Sequence, residues 1–163
     1  MTIDSFTIRE IQQKDNEEIA KAIRAVLVEF GVPKVGTAYA DKILDTLYEA
    51  YDKNKSMYYV IENEGKIFGG AGIAQLENYE GNVCELQKMY FSPQVRGIGL
   101  GKKLMNICLQ KATDFGYKQC YLETLPYMEN ARKLYRKTGF KDLSAPMGNT
   151  GHYSCNLWML KDL

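Results

Sequence analysis

Residues 85–112 read ELQKMYFSPQVRGIGLGKKLMNICLQKA. The first part continues an alternating run from Asn82, and residues 82–91 (NVCELQKMYF) are predicted to form a strand. Ser92-Pro93 turns the chain. Leu100, Leu104, Ile107, Cys108, Ala112 and Phe115 then recur at helical spacing, and Gly116 ends the helix. Between strand and helix lies Arg96-Gly97-Ile98-Gly99-Leu100-Gly101. Glycines there permit positive φ and let successive N–H groups converge on one point. The helix start adds its positive dipole end. Arg96, Lys102 and Lys103 add cationic charge beside it. A di- or triphosphate requires that combination. The spacing is not that of a Walker loop, because Gly101 is followed by Lys102-Lys103 and no hydroxyl is present for Mg²⁺. It is not a dinucleotide fingerprint either, because Lys102 stands at the third glycine position. A glycine-rich turn with no ligand is the plain alternative.

The elements on either side predict an α/β (α+β) chain. Residues 6–11 are expected as a first strand. Asp15 or Asn16 caps a helix carrying Ile19, Ile23, Val26, Leu27 and Phe30, which Gly31 and Pro33 end. A second helix is expected over about 38–53. Residues 57–62 and 67–76 read as a hairpin turning at Asn63-Glu64-Gly65-Lys66. Gly69, Gly70 and Gly72 in its second strand mark a bulge or a close backbone approach. After the glycine loop and its helix come a strand at 118–124, a helix at 128–138 stopped by Gly139, a short strand near 140–143, and a last strand at 152–160. Alternation places Tyr153, Cys155, Leu157 and Met159 on one side of that strand. Hairpin neighbours come first and a βαβ unit follows, within one domain spanning 1–163.

The composition excludes several classes. The 163 residues fit one domain, since domains run roughly 100–200 residues. Twenty-one Lys+Arg against 20 Asp+Glu leave a net charge of +1, so no general attraction to nucleic acid or anionic membrane is indicated. No 18-residue apolar run is present, and the N-terminus lacks the basic start and apolar stretch of a secretory signal. Cys84, Cys108, Cys120 and Cys155 are scattered without C-x-x-C spacing. They read as buried reduced thiols of a cytoplasmic protein, and no metal site is expected.

The R-G-x-G-x-G loop, with ELQKMYFSPQV before it and KKLMNICLQKA after it, closely resembles the acetyl-CoA motif of the GNAT superfamily of N-acyltransferases. Asn130-Ala131-x-x-Leu134-Tyr135-x-x-x-Gly139-Phe140 resembles that family's second signature. The predicted strand at 118–124 separates the two, and the element order agrees along nearly the whole chain. The resemblance implies a strongly twisted, mixed, mostly antiparallel sheet of six to seven strands with helices on both faces. Its central strands part like a V. It implies acetyl-CoA as cosubstrate and an amine of a small molecule or peptide as acceptor.

Residue by residue, the resemblance assigns the coenzyme A pyrophosphate to Arg96, Gly97, Gly99 and Gly101, with Lys102 adding charge or remaining a solvated lysine. Met89, Tyr90 and Phe91 lie on the strand that lends backbone groups to the pantetheine arm and to the developing oxyanion. Asn130 matches a position that hydrogen-bonds the arm; an early-turn helix residue is the alternative. Tyr135 matches the tyrosine that protonates the departing thiolate, and packing on the stripe Met128, Ala131, Tyr135, Thr138 is the alternative. Glu85 matches a general-base glutamate. An amine is mostly protonated at neutral pH, so its proton must be taken. Strict alternation puts Glu85, Gln87 and Met89 on one strand face and Cys84, Leu86, Lys88 and Tyr90 on the other.

Glu123 and His152 are rival bases. Cys155 near His152 suggests a cysteine–histidine nucleophile only weakly. The acceptor side is expected from the first helices, the loop at 31–40 and the segment at 144–153. Asp41, Asp45, Glu49 and Asp52 read as a solvated helix face or as a lure for a cationic amine. Tyr39, Tyr48, Tyr51, Tyr58 and Tyr59 line an acceptor pocket or belong to the core. A homodimer through the exposed edge of the last strand is a family-level expectation. The competing functional readings are a non-catalytic coenzyme A-binding module and a nucleotide-binding protein using the same loop.

Overall fold

The computed structural model describes residues 2–126 and 128–163. Seven strands form one sheet in the order β1-β2-β3-β4-β5-β7-β6. They are β1 (Thr7–Glu10), β2 (Met57–Asn63), β3 (Lys66–Gln75), β4 (Val83–Phe91), β5 (Gln119–Thr124), β6 (Lys141–Leu143) and β7 (Leu157–Asp162). All pairings are antiparallel except β4 with β5. That parallel pair is bridged by α3 (Leu100–Asp114), which is the expected βαβ unit.

Helices cover both faces. α1 (Asn16–Glu29) and α2 (Leu47–Tyr51) pack on one face through Ile19, Ile23, Leu27, Leu47 and Tyr51, joined by Leu44 from the turn before α2. α3 and α4 (Glu129–Thr138) cover the other through Leu100, Leu104, Cys108 and Tyr135. Ile19 and Ile23 are fully buried. Each such side chain contributes roughly 1.5–3 kcal/mol relative to exposure. The β2–β3 hairpin turns at Glu64 (φ 50) and Gly65 (φ 80), the paired positive φ values of a type I′ turn.

Four expectations are corrected. The second helix does not run over 38–53. Short 3₁₀ turns occupy Ala38–Ala40 and Lys42–Thr46, and only Leu47–Tyr51 is α-helical. Asp41 between them is extended (φ −64, ψ 118), and its carboxylate reaches Lys88 and His152. The last strand begins at Leu157, not 152; residues 152–156 are turns whose backbone bonds Gly36 and itself. The edge of the sheet is therefore not the last strand, because β7 lies between β5 and β6. Finally, neither Asp15 nor Asn16 caps α1 through its side chain. The Asn16 Oδ1 instead accepts the Tyr48 N–H at 2.8 Å, tying α1 to α2.

Asp15 is a buried anchor. It is 4% exposed and accepts the Gln12 N–H at 2.7 Å and a bidentate pair from Arg9 at 2.8 and 2.9 Å. Burial would raise its pKa, but the Arg9 and Gln12 hydrogen bonds outweigh that and hold it below the ordinary value. The associated stability is present above the unfolded carboxylate pKa and is lost as pH falls through the depressed folded value. Asp15→Asn costs about 1–3 kcal/mol in denaturant unfolding at pH 7, and the gap from wild type narrows in acid.

Candidate active site

β4 carries the site, and a bulge in it decides the geometry. Gly70 pairs with Tyr90 and Gly72 with Gln87, so β4 holds one extra residue between those registers. Lys88 takes a left-handed conformation there (φ 49). The facing residues Gly70 and Gly72 leave room for the Tyr58 ring, which a Cβ at either would meet at 2.6 Å. The Tyr58 hydroxyl donates to the Lys88 carbonyl at 2.8 Å. The extra residue reverses the alternation beyond it. Met89 and Phe91 pack with Leu86 against the α3 side, and Tyr90 packs on the α1 side. The expected grouping of Glu85, Gln87 and Met89 is thus wrong at Met89. Lys88 joins Glu85 and Gln87 in a single pocket.

β4 and β5 pair at Val83/Gln119, Cys84/Cys120 and Glu85/Tyr121 and then separate. The opening is a cleft of about 770 Å³. Met89, Tyr90, Phe91, Arg96, Gly97, Gly101, Asn130 and Tyr135 all line it. Of the positions expected to bind coenzyme A, Lys102, which is exposed, and Gly99 are not part of the lining.

Gly97 (φ 75) and Gly99 (φ 92) adopt the left-handed conformation the loop reading requires. Gly99 is the cap residue of α3. Gly101 plays a packing part: a Cβ there would lie 3.1 Å from the Leu134 side chain of α4. Arg96 is held from the other side. Its Nε donates to the Phe91 carbonyl at 2.9 Å, and its two terminal nitrogens each donate to the Glu29 carboxylate at 2.8 Å. Asn130 sits in the first turn of α4, whose cap position belongs to Met128.

Tyr135 is 7% exposed and stacks edge-on with Phe140 at 6.0 Å. Burial, with a smaller contribution from Cys120, pushes its phenol above the ordinary tyrosine value, so the group stays protonated at neutral pH. It belongs to the core, as the packing alternative expects, and also lines the cleft.

A second pocket of about 50 Å³ adjoins the cleft and shares Leu86, Lys88, Tyr90, Glu123, Thr124 and Met128 with it. Its remaining lining includes Val32, Thr37, Ala38, Glu85, Gln87, His152 and Cys155. Glu85 is 5% exposed, and its Oε1 accepts the Gln87 amide at 2.7 Å. The Gln87 carbonyl in turn accepts the Tyr51 hydroxyl at 2.5 Å. Burial raises the Glu85 pKa to about 7, with the Glu123 charge adding to the rise and Gln87, His152 and Lys88 opposing it. Glu123 accepts hydroxyls from Tyr121 at 2.7 Å and from Thr150.

Sequence reasoning missed Lys88, Gln87 and Asp41. The paired glycines of β3 announced a bulge but not which residue of β4 would take the extra place. Of the acidic residues grouped as a helix face, Asp45 pairs with Arg24 and Glu49 with Asn16, while Asp41 turns inward. Tyr51, Tyr58 and Tyr59 are core, and none of the five tyrosines lines the small pocket. Cys155 is half-buried rather than fully buried.

The sequence model described as "Acetyltransferase (GNAT) family" matches residues 20–140. The chain belongs to the GNAT acetyltransferase family. Among its relatives is an N-acetyltransferase of Escherichia coli K12, YjgM, described as uncharacterized. It is 43% identical over 160 residues, covering 98% of this chain and 96% of the relative. Among solved structures, a GNAT acetyltransferase from Staphylococcus aureus Mu50 superposes with a TM-score of 0.83 at 21% identity, covering 97% and 99% of the two chains. YncA of Salmonella typhimurium, solved with its cofactor acetyl-CoA, superposes with a TM-score of 0.76 at 22% identity, covering 97% and 94%. The protein is an acetyl-CoA-dependent acyltransferase of the GNAT type. No helix among the described residues is long and apolar enough to cross a membrane.

Proposed function

We propose that this GNAT protein transfers acetyl directly from acetyl-CoA to an amine, with Glu85 as general base and Tyr135 as the acid at the leaving sulfur. The carrying observation is the position of Glu85. It is a nearly buried carboxyl with a pKa raised to about 7, in a small pocket that opens on the cleft. A base of that pKa is half ready at neutral pH and strong enough to take a proton as the amine becomes positive.

The residues present fit acetyl-CoA. Gly97 lines the cleft, and both it and Gly99 take the left-handed conformation at the start of α3, where the helix dipole favours an anion. The β4 edge from Leu86 to Phe91, freed from β5, offers backbone groups to an extended arm. Acetyl-CoA supplies the activated thioester. Backbone N–H groups near Met89 and Tyr90 stabilise charge on the carbonyl oxygen. Glu85 receives the amine proton, directly or through a water. The C–N bond forms as the C–S bond breaks, and the Tyr135 phenol donates to the sulfur. Because burial raises that phenol's pKa, its part is to hold a hydrogen bond on the thiolate as much as to release the proton.

Thermal unfolding with acetyl-CoA, coenzyme A or Mg-ATP tests the first half of this reading. Acetyl-CoA at about 100 times its Kd adds roughly 2.7 kcal/mol of stability, a clear rise in Tm, and Mg-ATP adds none. A thiol-release screen over amines tests the second half. Acetyl-CoA binding with no amine consumed would leave the binding-module reading in its place.

A further inference from the structure

The small pocket is lined by two basic side chains, Lys88 and His152, for which acetyl transfer itself has no use. Lys88 is 9% exposed, and its Nζ stands 3.1 Å from Asp41 Oδ2. His152 Nε2 lies 2.8 Å from the same oxygen. Burial would lower the imidazole pKa, but the hydrogen bond and charge of Asp41 outweigh it and the net direction is upward. One carboxylate therefore serves two basic side chains. An ammonium carries three donors, and Asp41 is the acceptor that the described residues offer this one. Lysines this deeply buried are rare unless paired.

The placement of these groups is specific. Lys88 lines both the cleft and the small pocket, beside the place where the nucleophile must stand. Glu85 and Glu123 line the same pocket. Glu123 is fixed by the Tyr121 and Thr150 hydroxyls. A cationic arm (Lys88, His152) and an anionic arm (Glu85, Glu123) thus share a space of about 50 Å³. A diamine or polyamine would bring a second ammonium against Lys88, where poor solvation strengthens the repulsion.

We propose that the acceptor is a small zwitterionic amine. Its carboxylate, or an equally compact anion, lies a few bonds from the nucleophilic nitrogen and is taken by Lys88 with His152 behind it. The proposal rests on the reading of Glu85 as the base that faces the amine. It makes Lys88 a specificity-determining residue and Asp41 the group that holds both cations in place.

The test compares matched amines in a thiol-release assay. Glycine, alanine, methionine and lysine are set against glycinamide, alaninamide, methioninamide and 1,5-diaminopentane. The carboxylate member of a pair is used with kcat/KM higher by about tenfold or more, the range for a hydrogen-bonded charge. In Lys88→Met and His152→Gln the preference shrinks to about threefold or less. Lys88→Arg, which keeps the charge, retains a preference. A rise in Tm with acetyl-CoA confirms that each variant is folded. If Lys88→Met fails to fold, His152→Gln and Lys88→Arg decide. Equal or better use of the carboxyl-free amines by the wild type overturns the proposal and leaves the acetyltransferase reading intact. An undiminished preference in the variants does the same. Acetyl-CoA binding with no amine of either set consumed overturns both.

Discussion

Glu85→Gln lowers kcat by about 10²–10⁴-fold, the range for a positioned general base. In the wild type, log kcat rises with pH through about 7, because the carboxyl must be deprotonated to accept the amine proton. That limb is absent in the variant. Gln cannot take the proton, yet it keeps the shape and can still accept the Gln87 amide. A fall in stability does not explain the loss, because the expected sign is opposite. The folded-state pKa of about 7 lies above the ordinary 4.5. The unfolded state therefore releases its proton first, and Glu85 costs stability progressively as pH rises from about 4.5 to about 7. Above that, the ionised buried carboxylate costs up to about 3 kcal/mol, which the variant recovers. Urea unfolding at pH 8 is expected to find the variant as stable as the wild type or more so. Unchanged kcat, or a limb near 7 that survives, would move the base to Glu123 or His152.

Tyr135→Phe lowers kcat by about 10²-fold or more, with a small effect on the KM for the amine. The phenyl ring is retained, so contacts with Phe140 and the α3 side of the core survive and Tm changes little. The hydroxyl alone is removed. Poor thiol leaving groups expose the role best: the defect shrinks when an acyl donor with a more acidic thiol replaces acetyl-CoA, because that sulfur departs without help. A defect independent of the leaving group would assign Tyr135 to packing.

The difference between those two residues illustrates how the site was legible. The apolar stripe that carries Tyr135 into the core is legible because helical spacing is local. Its neighbours at Ala131 and Leu134 follow from the 3.6-residue repeat, and the cleft wall they form was implied by the second signature. Glu85 was found by its place before the glycine loop. Its surroundings were not, because one left-handed residue at Lys88 shifts every later side chain of β4 to the opposite face. Asp41 was lost for a similar reason. Its backbone leaves the helical path that the apolar repeat around it predicts, and its partners are 47 and 111 residues away.

The sequence by itself determined the order of strands and helices, the loop whose glycines need positive φ, and the family. All of these rest on interactions between residues near in the chain. Hydrophobic period, turn chemistry and helix ends are set within a few positions, so they can be read without coordinates. Only the tertiary structure decided that β7 is covered by β6, that β4 and β5 part after Glu85, and that Lys88, His152 and Glu85 line one pocket with Asp41 bonded to the first two. Those outcomes depend on strand register and on charges brought together from distant segments. A bulge adds a single residue and changes no local pattern, yet it chooses which side chains share the pocket.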